Sequence, residues 1–183
     1  DILPGFKETL NVADFLGGGS TPPDLCLLKG LCRSVPNCTY FEIGTWRGES
    51  AANVSEVCSE CQTLNIDPNT YMNGKYKDVM AFFSKNLKNV KHLYGDSLTF
   101  DYAGLNKKFD VVFIDADHHH AAIKSDTKNT FAHLIHDESI VVWHDYGNDP
   151  ATPRFETLAA ILDAVPAEMQ NNLYHVSNTL CAV

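Results

Sequence analysis

Two four-residue runs, Val111-Val112-Phe113-Ile114 and Ile140-Val141-Val142-Trp143, contain no polar residue. A strand with one face in water alternates polar and apolar side chains, whereas a continuously apolar strand must be covered on both faces. Five β-rich runs follow one another from Tyr40: Tyr40 to Gly44, Thr63 to Asp67, Val90 to Tyr94, Val111 to Asp115 and Ile140 to His144. The longer stretches between them, of helical pattern, suit crossover connections and therefore a parallel sheet. The expected fold is α/β, a doubly wound three-layer sandwich. After a helix over residues 155–165, Leu173 to Val176 and Thr179 to Val183 are short strand candidates separated only by Ser177-Asn178, a gap that permits an antiparallel hairpin and forbids a crossover. The hairpin brings the expected count to seven strands.

At 183 residues and 44% hydrophobic content, the chain has the size of one ordinary domain. The run Gly17-Gly18-Gly19-Ser20 separates an arm or lid, residues 1–20, from a single domain over residues 21–183. A helix opens that domain: Ser20 or Thr21 caps it, Pro22 suits its first turn, Asp24 favours its positive end, and Leu25, Leu28, Leu31 and Val35 recur at helical spacing. A formal net charge of −9 argues against a phosphate backbone as partner, because such binding rests on Lys and Arg. A small-molecule or cationic partner is expected, with no nucleic acid and no membrane, and a homo-oligomer is compatible with the pattern. No apolar stretch approaches the roughly 20 residues of a membrane span, and the chain starts Asp1-Ile2-Leu3-Pro4 without a basic-then-apolar leader. The expectation is a cytoplasmic protein whose start, lacking Met, lies upstream.

In Glu42-Ile43-Gly44-Thr45-Trp46-Arg47-Gly48, the first glycine falls where a strand must turn sharply and admit a ligand to its backbone, and the second opens a helix around residues 49–57. The spacing departs from the Gly-x-Gly-x-x-Gly that holds a dinucleotide pyrophosphate, and Glu42 would repel phosphate while suiting a cation. Asp67 ends the second strand candidate 23 residues after Gly44, where an acidic side chain commonly accepts ribose hydroxyls. Asp96-Ser97 follows the third. Three such sites at successive carbonyl ends mark the ligand edge of an open parallel sheet.

On these motifs the chain resembles the class I S-adenosylmethionine-dependent methyltransferases, from the helix at Pro22 to the terminal hairpin. The resemblance implies a Rossmann-like, mostly parallel seven-stranded sheet with its last strand antiparallel, and S-adenosyl-L-methionine as cofactor. It assigns Glu42, Gly44, Thr45, Gly48 and Ser50 to the first cofactor motif, Asp67 to the ribose, Asp96 and Ser97 to the adenine, and Asp115 to the same site. The rivals are a nicotinamide-dependent oxidoreductase, disfavoured by Glu42 and the missing middle glycine, and a non-catalytic binder of the same cofactor.

Six of the eight histidines lie between His118 and His144. Two groups end adjacent strand candidates, Asp115-Ala116-Asp117-His118-His119-His120 and His144-Asp145-Tyr146. Asp115, His144 and Asp145 offer two carboxylates and an imidazole to one divalent cation, magnesium or similar, and a neighbouring histidine can take a proton from a hydroxyl. His119, His120, His133 and His136 read as ordinary surface residues. The same segments resemble the methyltransferase branch that includes metal-dependent O-methyltransferases, which implies Asp115, His144 and Asp145 as metal ligands and His118 as general base. His144 stands where that branch commonly has a carboxylate, which shifts the site toward softer cations or away from metal altogether. The acceptor would be a small-molecule hydroxyl, with residues 1–19 and 146–153 shaping its pocket.

Cys32, Cys38, Cys58 and Cys61 gather at the opposite end of the expected sheet. A zinc site, one disulfide and reduced buried thiols all fit this spacing, reduced thiols being the default.

Overall fold

The structure is a computed structural model that describes residue 3, residues 5–14 and residues 16–183. The rest of the expected arm, namely Asp1, Ile2, Pro4 and Phe15, lies outside the described residues. Helix α1 (Pro22–Ser34) starts from Thr21 in a reciprocal capping box with Asp24 and stops before Pro36. Then follow β1 (Thr39–Ile43), α2 (Glu49–Val54), β2 (Glu60–Asn65), β3 (Val90–Tyr94), β4 (Val111–Ile114), α3 (His120–Asn129), β5 (Ile140–Trp143), β6 (Gly147–Asp149), β7 (Thr152–Pro153) and α4 (Phe155–Leu162).

Strands β1 to β5 form a wholly parallel sheet in the order β3-β2-β1-β4-β5. Alternate residues of each strand enter opposite cores. Tyr40, Cys61, Val111, Phe113 and Val142 pack under α1 and α2 with Leu28, Leu31, Ala51 and Val54. Phe41, Ile43, Leu64, Val112, Ile114, Val141 and Trp143 pack under α3 and α4 with Ile123, Ala160 and Ile161. This double coverage is why the two central runs lack polar residues.

Among the described residues the main sheet has five strands rather than the expected seven, and β6 with β7 forms a separate antiparallel pair. The C-terminal segment reaches the β5 edge through an isolated antiparallel bridge, Trp143 to Ala182, and folds back on itself through another, His175 to Ala182. Tyr174 and Val183 exchange backbone hydrogen bonds of 2.8 and 2.9 Å. The ladder goes no further along this edge because the Leu180 N–H donates to Asp24 Oδ1 at 2.7 Å, while its carbonyl takes the Gly147 N–H. The crossovers also depart from expectation. Only α2 and α3 connect parallel strands as α-helices; between β2 and β3 the chain makes turns and one 3₁₀ turn (Tyr71–Gly74), in which Met72 and Asn73 have left-handed backbones.

No helix among the described residues is long and apolar enough to cross a membrane.

Candidate functional site

Strand order reverses between β1 and β4, and the crevice outside that switch point is where open α/β sheets take ligands. Gly44 stands there with φ of +89°, and a Cβ on it would come within 2.1 Å of the Asp115 carbonyl oxygen. Glycine is thus required by the close approach of the β1 and β4 ends. Gly48, at φ +86°, begins α2 in the left-handed region against Ser84. The Thr45 N–H donates to Asn65 Oδ1 at 2.8 Å, pinning the turn to the end of β2.

Glu42 lies beneath this turn, fully buried, rather than on its open side. Tyr40 Oη donates to one of its oxygens at 2.6 Å and Ser50 Oγ to the other at 2.9 Å. Burial nevertheless pushes its carboxyl up to about 7. Asp67 is half-buried two residues past β2, with Oδ1 accepting from the Asn69 N–H at 2.8 Å. Asp96 is exposed just past β3, where it accepts from the Leu98 N–H, and Ser97 beside it is half-buried. The cofactor candidates therefore follow the carbonyl ends of β1, β2 and β3 in turn.

The ends of β4 and β5 bring Asp115, His144 and Asp145 together, with one ligand-type atom from each within 4.8 Å of the others. His144 Nδ1 lies 3.1 Å from Asp115 Oδ1 and 3.6 Å from Asp145 Oδ2, yet it is buried without hydrogen-bonding geometry to any partner among the described residues. Its other nitrogen, Nε2, meets Asp24 Oδ2 at 3.2 Å. Burial disfavours a charged His144, but Asp115, Asp145 and Asp24 outweigh it and raise the imidazole well above its usual range. His118, largely exposed, sets Nδ1 2.9 Å from Asp145 Oδ2, and that contact raises it too. Burial works against ionising Asp145, but the His118 contact and the nearby His144 imidazole hold its carboxyl far below the ordinary range. Asp145 also has a left-handed backbone, φ +52°, which Asp tolerates better than most residues.

Three buried charged positions around the candidate site were not apparent in the sequence. Asp24, expected only to favour a helix start, is completely buried and accepts hydrogen bonds from Thr21 N–H, Thr21 Oγ1, Leu180 N–H and Cys181 Sγ besides facing His144. A carboxylate on one imidazole nitrogen fixes which lone pair the other presents. Arg47 is buried and fastens the arm, donating to Asp14, Glu49 and the carbonyls of Leu16 and Gly17. Asp126 in α3 is fully buried beside Ser97, neither of its oxygens meets a hydrogen-bond partner among the described residues, and burial pushes it up to about 6. Only Asp24 carried a local signal, three residues after Thr21, and that signal predicts a cap.

A family model described as a methyltransferase domain matches residues 41–146. No curated protein matches the sequence. Among solved structures, the chain resembles the O-methyltransferase TomG from Streptomyces achromogenes, solved with S-adenosylmethionine, at TM-score 0.59 and 19% identity, covering 84% of this chain and 70% of that one. An O-methyltransferase from Bacillus cereus, in complex with S-adenosylhomocysteine, aligns at TM-score 0.55 and 18% identity over 80% of this chain and 68% of that one. A Podospora anserina methyltransferase aligns at TM-score 0.56 and 19% identity; 70% of this chain is covered, but only 54% of that enzyme's length. These identities establish a shared fold.

Proposed function

Because the chain belongs to the methyltransferase-domain family matched over residues 41–146, we propose that it transfers a methyl group from S-adenosylmethionine to a hydroxyl oxygen of a small molecule. The observation that carries the acceptor half of this reading is the cluster of Asp115, His144, Asp145 and His118 beside the Gly44 turn. It joins a proton acceptor to a polar cradle within one ligand crevice.

The family's cofactor supplies a methyl carbon activated by a sulfonium. In this chain the Gly44 to Gly48 backbone would lie along it, Asp67 would accept its ribose hydroxyls, and Asp96 with Ser97 would face its adenine. Glu42, held by Tyr40 and Ser50, sets a carboxyl under the turn where a cationic ligand would favour its ionised form. His118 receives the acceptor's proton, and Asp145 orients the imidazole through Nδ1, leaving Nε2 as the nitrogen that would take it. Positioning and electrostatic preorganisation provide most of the acceleration.

A divalent cation fits Asp115, His144 and Asp145. His144 Nδ1 is a buried nitrogen without a hydrogen-bond partner among the described residues, facing two carboxylates, while Asp24 accepts from Nε2. A cation held there supplies Lewis acidity that lowers the acceptor hydroxyl's pKa, and the mixed nitrogen and oxygen donors suit manganese or iron as well as magnesium.

The test is transfer of isotopically labelled methyl from S-adenosylmethionine to a panel of phenols, sugars and other hydroxyl compounds, with and without chelator. His118→Ala should lower kcat by about 10²–10⁴-fold, and Asp145→Ala should abolish any metal response. Labelled product with full activity in His118→Ala would remove the base assignment. Tight cofactor binding without transfer to any acceptor would favour a non-catalytic binder.

A further inference from the structure

At the end of the sheet away from the ligand crevice, three thiols converge from three different elements. Cys32 is in the last turn of α1, Cys38 immediately precedes β1, and Cys58 follows α2 just ahead of β2. Their sulfur atoms all lie within 4.8 Å of one another. Cys32 and Cys38 are inaccessible and Cys58 is 7% exposed, so the cluster has one thin rim. All six cysteines of the chain are free thiols.

The backbone around the cluster is tied down before any ligand arrives. Ser59 donates both its N–H, at 2.8 Å, and its hydroxyl, at 3.0 Å, to the Cys38 carbonyl. The Asn89 amide donates to the Ser55 and Cys58 carbonyls at 2.7 and 3.2 Å, and the Val35 N–H closes α1 on the Cys32 carbonyl. Cys61 is equally buried in the same apolar core yet stays outside the triad. The convergence therefore involves these three sulfurs in particular, and burial alone does not bring cysteines together here.

We propose that Cys32, Cys38 and Cys58 form a binding site for a soft, thiolate-seeking d¹⁰ cation, zinc or cuprous copper. Thiolate donors select this class of ion over magnesium, calcium or manganese, and three preset sulfurs lower the cost of assembling the site. Burial pushes the Cys32 thiol well above its ordinary value, so without a cation the group stays protonated and is a poor nucleophile. Binding replaces the thiol protons with the metal and releases them to solvent, with no change of oxidation state. The ion would lock the start of β1 to the connections before it and after α2, far from the methyl-transfer site.

Reduced, metal-free protein kept anaerobic is titrated separately with Zn²⁺, with Cu⁺ and, as a spectroscopic probe, with Cd²⁺. The expected result is a single equivalent bound per chain, seen as thiolate-to-metal charge-transfer absorption with Cd²⁺ and displaced by Zn²⁺ or Cu⁺ competing for the same three sulfurs. Cys58→Ala, at the rim, should weaken binding by more than the 10–100-fold that outer partners of a metal site carry, with its circular dichroism unchanged. Cys61→Ala should bind as the wild type does. If Cys58→Ala fails to fold, Cys38→Ala takes its place. Absence of stoichiometric binding in the wild type, unchanged affinity in the triad variant, equal loss in Cys61→Ala, or an intact mass lighter by two hydrogens each overturns the site, the last by showing a disulfide. None of these readouts depends on methyl transfer.

Discussion

Gly44 and Glu42 sit two residues apart and have opposite physical constraints, one on shape and one on charge. An alanine at 44 would hold a left-handed backbone and drive its Cβ to within 2.1 Å of the Asp115 carbonyl. Backbone cannot yield as a flexible side chain can, so Gly44→Ala should cost about 2–4 kcal/mol of stability, read by urea denaturation, and should impair cofactor binding. The glycine's importance was visible in its position after a strand; the reason, contact with β4, was not, because it depends on a residue 71 positions away. Glu42 is a pH-dependent liability. Its carboxyl is pushed up to about 7 in the folded protein from an ordinary value of 4.5, so the native state holds a proton that the unfolded chain has already released. Stability through this group is therefore full below about pH 4.5 and declines as pH rises through 7, by an amount on the order of 3 kcal/mol. Glu42→Gln should remove that decline, and chemical denaturation of both proteins at pH 5 and pH 8 checks it. An unchanged slope in the variant would mean that another group, such as Asp126, carries the effect.

Helix α1 shows how one side chain can serve both a local and a distant element. Sequence legibly placed its start at Thr21 and Pro22, and the capping box is present. What local pattern could not carry is the second use of Asp24, which joins α1 to His144 past the end of β5 and to Leu180 in the C-terminal segment. Asp24→Ala should lower stability by about 2–4 kcal/mol, since it strands a buried imidazole and a backbone N–H. Asp24→Asn should lose less stability but change the metal affinity or pH profile of any activity, an outcome that a merely structural cap would not produce. The arm offers a parallel case. Arg47 holds Asp14, Leu16 and Gly17 against the start of α2 through one carboxylate and two carbonyls, and donates to Glu49 of α2 itself. Arg47→Ala should therefore release the arm, seen as faster limited proteolysis before Gly17 with the rest of the domain intact. The strands were the most legible elements because those buried on both faces advertise themselves; the 24-residue connection between Asn65 and Val90 carries Met72, Asn73 and Ala81 with left-handed backbones, which periodicity cannot foresee. The terminal hairpin was legible as a turn, but the Asp24 contact limits how far it extends the sheet.

Across the whole molecule, a five-stranded parallel sheet separates two sets of chemistry-bearing residues. The carbonyl ends hold the glycine turn, three carboxylate positions and the histidine cluster, and the opposite end holds the cysteine triad. The doubly wound architecture followed from two apolar runs, and the candidate site followed from what stands at the ends of strands. The orientation of His144 and the burial of Glu42 required the assembled structure, because each depends on contacts between elements distant in sequence. A ligand that binds only the native state at a hundred times its Kd should stabilise the protein by about 2.7 kcal/mol, so excess S-adenosylmethionine should raise Tm while nicotinamide dinucleotide should not. The most direct measurement is calorimetric titration of the wild-type protein and Asp67→Ala with S-adenosylmethionine and with NAD. The proposed assignment predicts stoichiometric binding of S-adenosylmethionine, weakened when the Asp67 carboxylate is removed, and no binding of NAD. Binding of NAD alone, or S-adenosylmethionine affinity indifferent to Asp67, would contradict the assignment of this crevice.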